Sequence, residues 1–145
     1  MAKILKLTAH DGSDIGYMGL KGDKFIRGVD KSDAVEFKMV SYDKDNDAHY
    51  FELVSKPKYY LDIKATNSVL FADKPFISVS TSTIVAWKEI DGELHAVLRG
   101  VDTLKAVSTS AADPDSKLMY GNWLLGDGKN TSCKVSVEEV SSALA

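Results

Sequence analysis

Between Asp113 and Ser132 the chain gathers Tyr120, Asn122, Trp123, Asp127, Lys129 and Asn130 in a glycine-rich, turn-rich setting. These residue types suit sugar binding. An aromatic face accepts the apolar C–H side of a pyranose, and amides or carboxylates hold its hydroxyls. Trp123 beside Asn122, with Asp127 and Asn130 a hairpin away, supplies both parts, and Tyr120 completes the candidate carbohydrate-binding set. The plainer alternative is that Trp123 packs a core while Asn122 and Asp127 shape turns. Smaller versions of the same mixture are Asp14, Tyr17 and Asp23, and Asp73 near Tyr60.

Other chemistry is less well supplied. The acidic run Asp43-Lys44-Asp45-Asn46-Asp47 places Ala48 and Val54 where an EF-hand loop needs glycine and a bidentate glutamate, so it reads as a solvated hairpin loop. His10, His49 and His95 are far apart, and none has a second ligand at metal spacing; no metal site is expected. There is no Gly-x-Ser-x-Gly elbow for a serine hydrolase. Aspartates are so abundant that no particular pair stands out as a glycosidase couple. Gly16, Gly19, Gly22 and Gly28 are followed by no Gly-Lys-Ser/Thr and read as turn and bulge residues rather than a phosphate loop. Cys133, the single cysteine, lies in an alternating run and reads as a small buried hydrophobe; its nearest histidine in sequence is His95. A non-enzymatic protein without cofactors is expected.

Charge argues in the same direction. Lys and Arg together number 18 against 21 Asp and Glu, a formal net charge of −3. The lysines are scattered among acids, and Arg27 and Arg99 are the only arginines, so nucleic-acid binding is not expected. No window approaches the roughly 18 apolar residues of a membrane span, and the start, Met-Ala-Lys-Ile-Leu-Lys-Leu, lacks a signal-peptide stretch. The expected location is the cytoplasm, or outside after release without a signal peptide. Asn130-Thr131-Ser132 matches a glycosylation sequon, which carries no weight without secretion.

The elements that must position these residues are strands. At 145 residues the chain suits one all-β domain, residues 1–145. No segment of about ten residues keeps a helical apolar repeat. The runs Val35–Val40, Ile77–Ser80 and Cys133–Val137 alternate instead, rich in β-formers. Turn signals separate them, among them His10-Asp11-Gly12-Ser13, Lys21-Gly22-Asp23, Lys56-Pro57-Lys58, Asp73-Lys74-Pro75 and Gly126-Asp127-Gly128-Lys129. Asp91-Gly92 between Ala86–Ile90 and Glu93–Leu98 predicts a two-residue hairpin. Val137–Ala145 reads as a short helix or as a strand end with a tail.

Three segments overlay: Ile15 to Val54, Tyr59 to Lys88, and Leu94 to Val137. Each holds about four strands in roughly 35 to 45 residues. Phe51 and Trp87 sit near the start of the last strand of the first two, with Cys133 in the third. This plan, about twelve short strands in three pseudo-repeats, resembles the β-trefoil, a barrel of hairpins closed by a hairpin cap. A β-sandwich is the alternative. The chain has no glutamine, so it lacks the Gln-x-Trp pattern of ricin-B-type trefoils and resembles the divergent trefoil lectins of fungal cytoplasm or the trefoil inhibitors. The resemblance implies a carbohydrate-binding protein with glycans as partners. The alternatives are a protease inhibitor acting through one rigid loop, Lys56-Pro57-Lys58 or Asp73-Lys74-Pro75, and a protein-interaction module. Agglutination would require several sites per chain or a homodimer.

Overall fold

Short alternating runs bury one face each, and the backbone must then find partners on both edges. In the computed structural model, which describes residues 2–22, 24–42, 45–64, 70–74, 84–98, 101–110, 117–123 and 130–140, the strands are as follows. They are β1 (Lys3–Thr8), β2 (Asp14–Lys21), β3 (Phe25–Val29), β4 (Phe37–Tyr42), β5 (Asp45–Leu53), β6 (Tyr60–Ile63) and β7 (Leu70–Asp73). Then come β8 (Ala86–Ile90), β9 (Glu93–Leu98), β10 (Val101–Ser110), β11 (Met119–Trp123), β12 (Asn130–Ser132) and β13 (Lys134–Glu139). Apart from one 3-10 turn at Lys31–Asp33, the described residues hold no helix, and the chain is all-β as expected. Among the described residues no helix is long and apolar enough to cross a membrane.

Antiparallel pairing closes a seven-stranded barrel, β5–β4–β1–β2–β3–β7–β6, sealed where Glu52 of β5 pairs with Tyr60 of β6. The remaining strands extend from it. β8 pairs β5 through Ala48↔Lys88 and His49↔Trp87, β9 follows in a hairpin, and β10 pairs β9, β11 and β12. β13 returns to lie along β1 from Lys3↔Glu139 to Thr8↔Lys134. Val135 N–H donates to the Gly92 carbonyl at 2.8 Å, which ties β13 to the β8–β9 turn.

The Asp91-Gly92 hairpin forms as predicted, with Ile90 paired to Glu93. Both turn residues have positive φ, 52° and 84°, the conformation whose twist matches the flanking strands. Gly16 also has positive φ, 113°, beside the register shift at Leu7/Thr8; a Cβ there would meet the Val29 carbonyl oxygen at 2.6 Å.

Three details of the strand plan come from the pairing. Lys3–Thr8, read only for its lack of a signal peptide, is a strand that pairs with β13, β2 and β4. Its alternating Leu5 and Leu7 are fully buried, the cue that could have revealed it. The described residues hold 13 strands rather than about twelve, because the run through Cys133 is split. Cys133 donates its N–H to the Val107 carbonyl at 3.2 Å, after which the chain leaves β10 and joins β1. Finally, Lys134–Glu139 is strand, so Val137–Ala145 starts as a strand end, the second of its two readings, and not as a helix; residues 141–145 lie outside the described residues, as does Ile77–Ser80.

The core lies inside the closed sheet. Trp87, Phe37, Phe51, Leu5, Leu7 and Met18 are among its largest fully buried members. Phe37 and Phe51 meet edge to face, ring centres 5.9 Å apart. Phe51, Trp87 and Cys133, singled out by position, are all buried.

Candidate functional site

Turns from distant parts of the chain meet at one end of the sheet. Lys24 ends the β2–β3 turn, Lys56 and Tyr59 belong to the β5–β6 connection, and Ala72, Asp73 and Lys74 end β7. Together they line an open depression of about 360 Å³, the size of a small-ligand site. Its backbone is held in place. Ala72 N–H donates to the Lys24 carbonyl at 2.8 Å, Tyr59 N–H to the Lys56 carbonyl at 3.0 Å, and Leu53 N–H to the Tyr59 carbonyl at 2.8 Å. Lys58, at φ 72°, donates its N–H to Glu52 Oε2 at 2.8 Å. The Lys56 ammonium stands 4.8 Å from the Tyr59 ring centre.

Behind this wall lies a carboxyl pair. Asp73, paired with Tyr60 across the hairpin, hydrogen-bonds the buried Asp62 of β6. Burial, then the Asp73 contact, pushes the Asp62 pKa up to about 7, against the pull of the Ile63 and Val85 backbone N–H groups. Two carboxyls in direct hydrogen-bond contact leave no room between them for the bond that the pair in a retaining glycosidase flanks.

A second cluster surrounds Glu93. His10 Nε2 lies 2.8 Å from Glu93 Oε2, His95 Nε2 lies 3.0 Å from Oε1, and Ser132 Oγ donates to Oε2 at 2.6 Å. Partial burial raises the Glu93 pKa, but the hydrogen bonds from Ser132, His95 and His10 outweigh it and hold the carboxyl below its ordinary value. An ionised carboxylate only accepts, so both imidazoles carry hydrogen on Nε2. His10 Nε2 also lies 3.1 Å from Ser132 Oγ. The nitrogen facing the serine is therefore a donor, not a base, and the arrangement holds chain segments together without activating Ser132. Among the described residues no group of His, Cys, Asp and Glu is arranged to hold a metal ion. Cys133 stays a thiol, because burial first and the Glu93 charge second push its pKa up to about 12.

Glu93→Ala is expected to cost about 1–3 kcal/mol, since His95 and Ser132 lose a buried acceptor. Urea unfolding at pH 7 measures it. The depressed pKa makes this contribution fully present above the ordinary glutamate range, and it is lost as the pH falls below that range.

The residues expected to bind sugar are only partly gathered. β11 carries Tyr120, Asn122 and Trp123, paired with Ser108, Ala106 and Lys105 of β10; Tyr120 is half-buried. Asn130 opens β12, paired with Ser110 on the opposite edge of β10. Asp127 lies outside the described residues, as do Lys129 and Asp23. Asp14 accepts from Gly16 N–H at 3.0 Å, and the Tyr17 hydroxyl donates to Glu138, so both serve the fold. Three features were missed in the sequence: the meeting of His10 with His95 around Glu93, the Asp62–Asp73 pair, and the convergence of the two proline-containing lysine turns on one depression. The pairing of Asp73 with Tyr60 was the nearest signal.

No protein-family model matches the chain, and no curated protein matches it. The class defined by fold and site is an all-β closed barrel with a cationic depression at one end.

Proposed function

We propose that the chain is a β-trefoil that binds carbohydrate without transforming it. Three successive blocks, β1–β4, β5–β8 and β9–β13, share one pairing plan, which supports the trefoil. Their first two strands pair (β1–β2, β5–β6, β9–β10) and then form hairpins (β2–β3, β6–β7, β10–β11). Their first and last strands meet as well: Lys3↔Phe37, the β5–β8 ladder, and the contacts of β13 with β9. The hairpins also touch one another, through Phe25↔Phe71, Arg27↔Leu118 and contacts of β11 with β7. On this plan the repeats begin at Lys3 rather than Ile15, because β1 opens the first block.

The observation that carries the binding reading is the depression between the β2–β3 and β6–β7 hairpins. It offers ammonium donors, one of them seated over the Tyr59 ring, on a backbone already fixed by hydrogen bonds, so little ordering is needed on binding. Tyr120, Asn122, Trp123, Asp127 and Asn130 are proposed as a second contact surface. The inhibitor reading has less support: Lys56 to Tyr59 form a tight turn with Lys56 folded over a ring, not an extended loop that enters a protease cleft.

A glycan array followed by titration calorimetry tests the proposal. The expected result is at least one saccharide with a Kd of about 0.1–1 mM per site, as a shallow site allows. Silence in both measurements removes it.

A further inference from the structure

We propose that the depression selects acidic saccharides, through their carboxylate or sulfate groups, over neutral ones; this rests on the carbohydrate-binding reading above. A neutral pyranose needs a bare aromatic face to stack on. At this end of the molecule the faces carry lysines. Lys56 Nζ stands 4.8 Å from the Tyr59 ring centre, Lys24 Nζ 6.0 Å from that of Phe71, and Lys64 Nζ 5.5 Å from that of Phe25. Phe25 and Phe71 are themselves paired across β3 and β7, so these cations share one patch.

The charge balance of the patch runs against that of the chain. The whole sequence carries −3, yet among the described residues Lys24, Lys56 and Lys74 line the depression with Asp73 as the one acid. The Asp73 carboxyl is occupied, accepting the Lys74 N–H at 2.9 Å and hydrogen-bonding Asp62. Among the described residues neither Lys24 nor Lys74 is ion-paired. Ammonium groups are point charges with three rotatable donors, and they suit carboxylate or sulfate oxygens at varied angles. A single-stranded nucleic acid would need the covered ring faces for base stacking, which favours the saccharide.

The test compares dextran sulfate, hyaluronate oligosaccharides and an oligothymidylate of matched charge by calorimetry, beside neutral and acidic glycans on an array. Sulfated or carboxylated saccharides are expected to bind and to weaken about tenfold or more between 50 and 300 mM NaCl. Lys74→Glu, at an exposed position, is expected to weaken them about tenfold with an unchanged circular dichroism spectrum. Lys56→Glu provides a second reading of the same loss. Neutral glycans that bind as tightly, or acidic binding indifferent to Lys74→Glu, would overturn the selectivity and leave the carbohydrate reading standing. Oligothymidylate bound as tightly as the saccharides would overturn it as well. Silence toward every saccharide would overturn both.

Discussion

Trp87→Ala is expected to cost about 3–5 kcal/mol, the range for removing a large buried aromatic. Trp87 is 1% exposed on β8, where it faces His49 of β5 and Ala96 of β9, so it joins the barrel to the strands beyond it. Its indole Nε1 donates to the Leu61 carbonyl of β6 at 3.1 Å. Alanine leaves a cavity and strands that carbonyl. A domain of this size has about 5–15 kcal/mol in total, so the variant should melt about 10 °C or more below the parent. Trp87→Phe keeps most of the packing and loses the hydrogen bond; it should cost about 1–2 kcal/mol. Urea titration with an unchanged m-value measures both. A loss below about 1 kcal/mol for the alanine variant would show that the indole does not hold the two parts together.

The second large effect is a pH dependence with an unusual sign for an aspartate. Burial and the Asp73 contact raise the Asp62 pKa from 3.8 to about 7. Between those values the folded chain keeps a proton that the unfolded chain releases, so stability falls as pH rises. The full swing from pH 4 to above 7 is at most about 4 kcal/mol, at about 1.4 kcal/mol per unit. Glu93, Glu139 and Asp11 have lowered values and lose their contributions only at more acidic pH, so they leave this window clear. Asp62→Asn removes the titration, and an amide can still donate to Asp73. The variant should be more stable than the parent at pH 8 and should show a flatter profile. Unfolding free energies at half-unit steps from pH 4.5 to 8.5 decide it; an identical slope in parent and variant would exclude Asp62 as its source.

The legible parts of this molecule were the local ones. Asp91-Gly92 announced its hairpin because only residues tolerant of positive φ fit both turn positions, and the strands took their places around it. Phe51 and Trp87, placed by their spacing near the start of a strand, are both buried. In Lys3–Thr8 the adjacent apolar pair Ile4 and Leu5 interrupts the alternation that Leu5 and Leu7 keep, in a strand with neighbours on both edges. The candidate sugar set drew on residues adjacent in sequence. The depression instead draws on Lys24, Lys56 and Lys74, which sit in three separate parts of the chain.

Residue order by itself determined that the chain is all-β and that it turns at Asp91-Gly92, because alternation and turn chemistry act over a few residues. The tertiary structure alone decided that His10 meets Glu93, that Asp62 is buried against Asp73, and that three lysines from separate parts of the chain line one depression. Those meetings follow from the order and register in which the strands close on one another, and that long-range pairing leaves no mark in any short stretch of sequence.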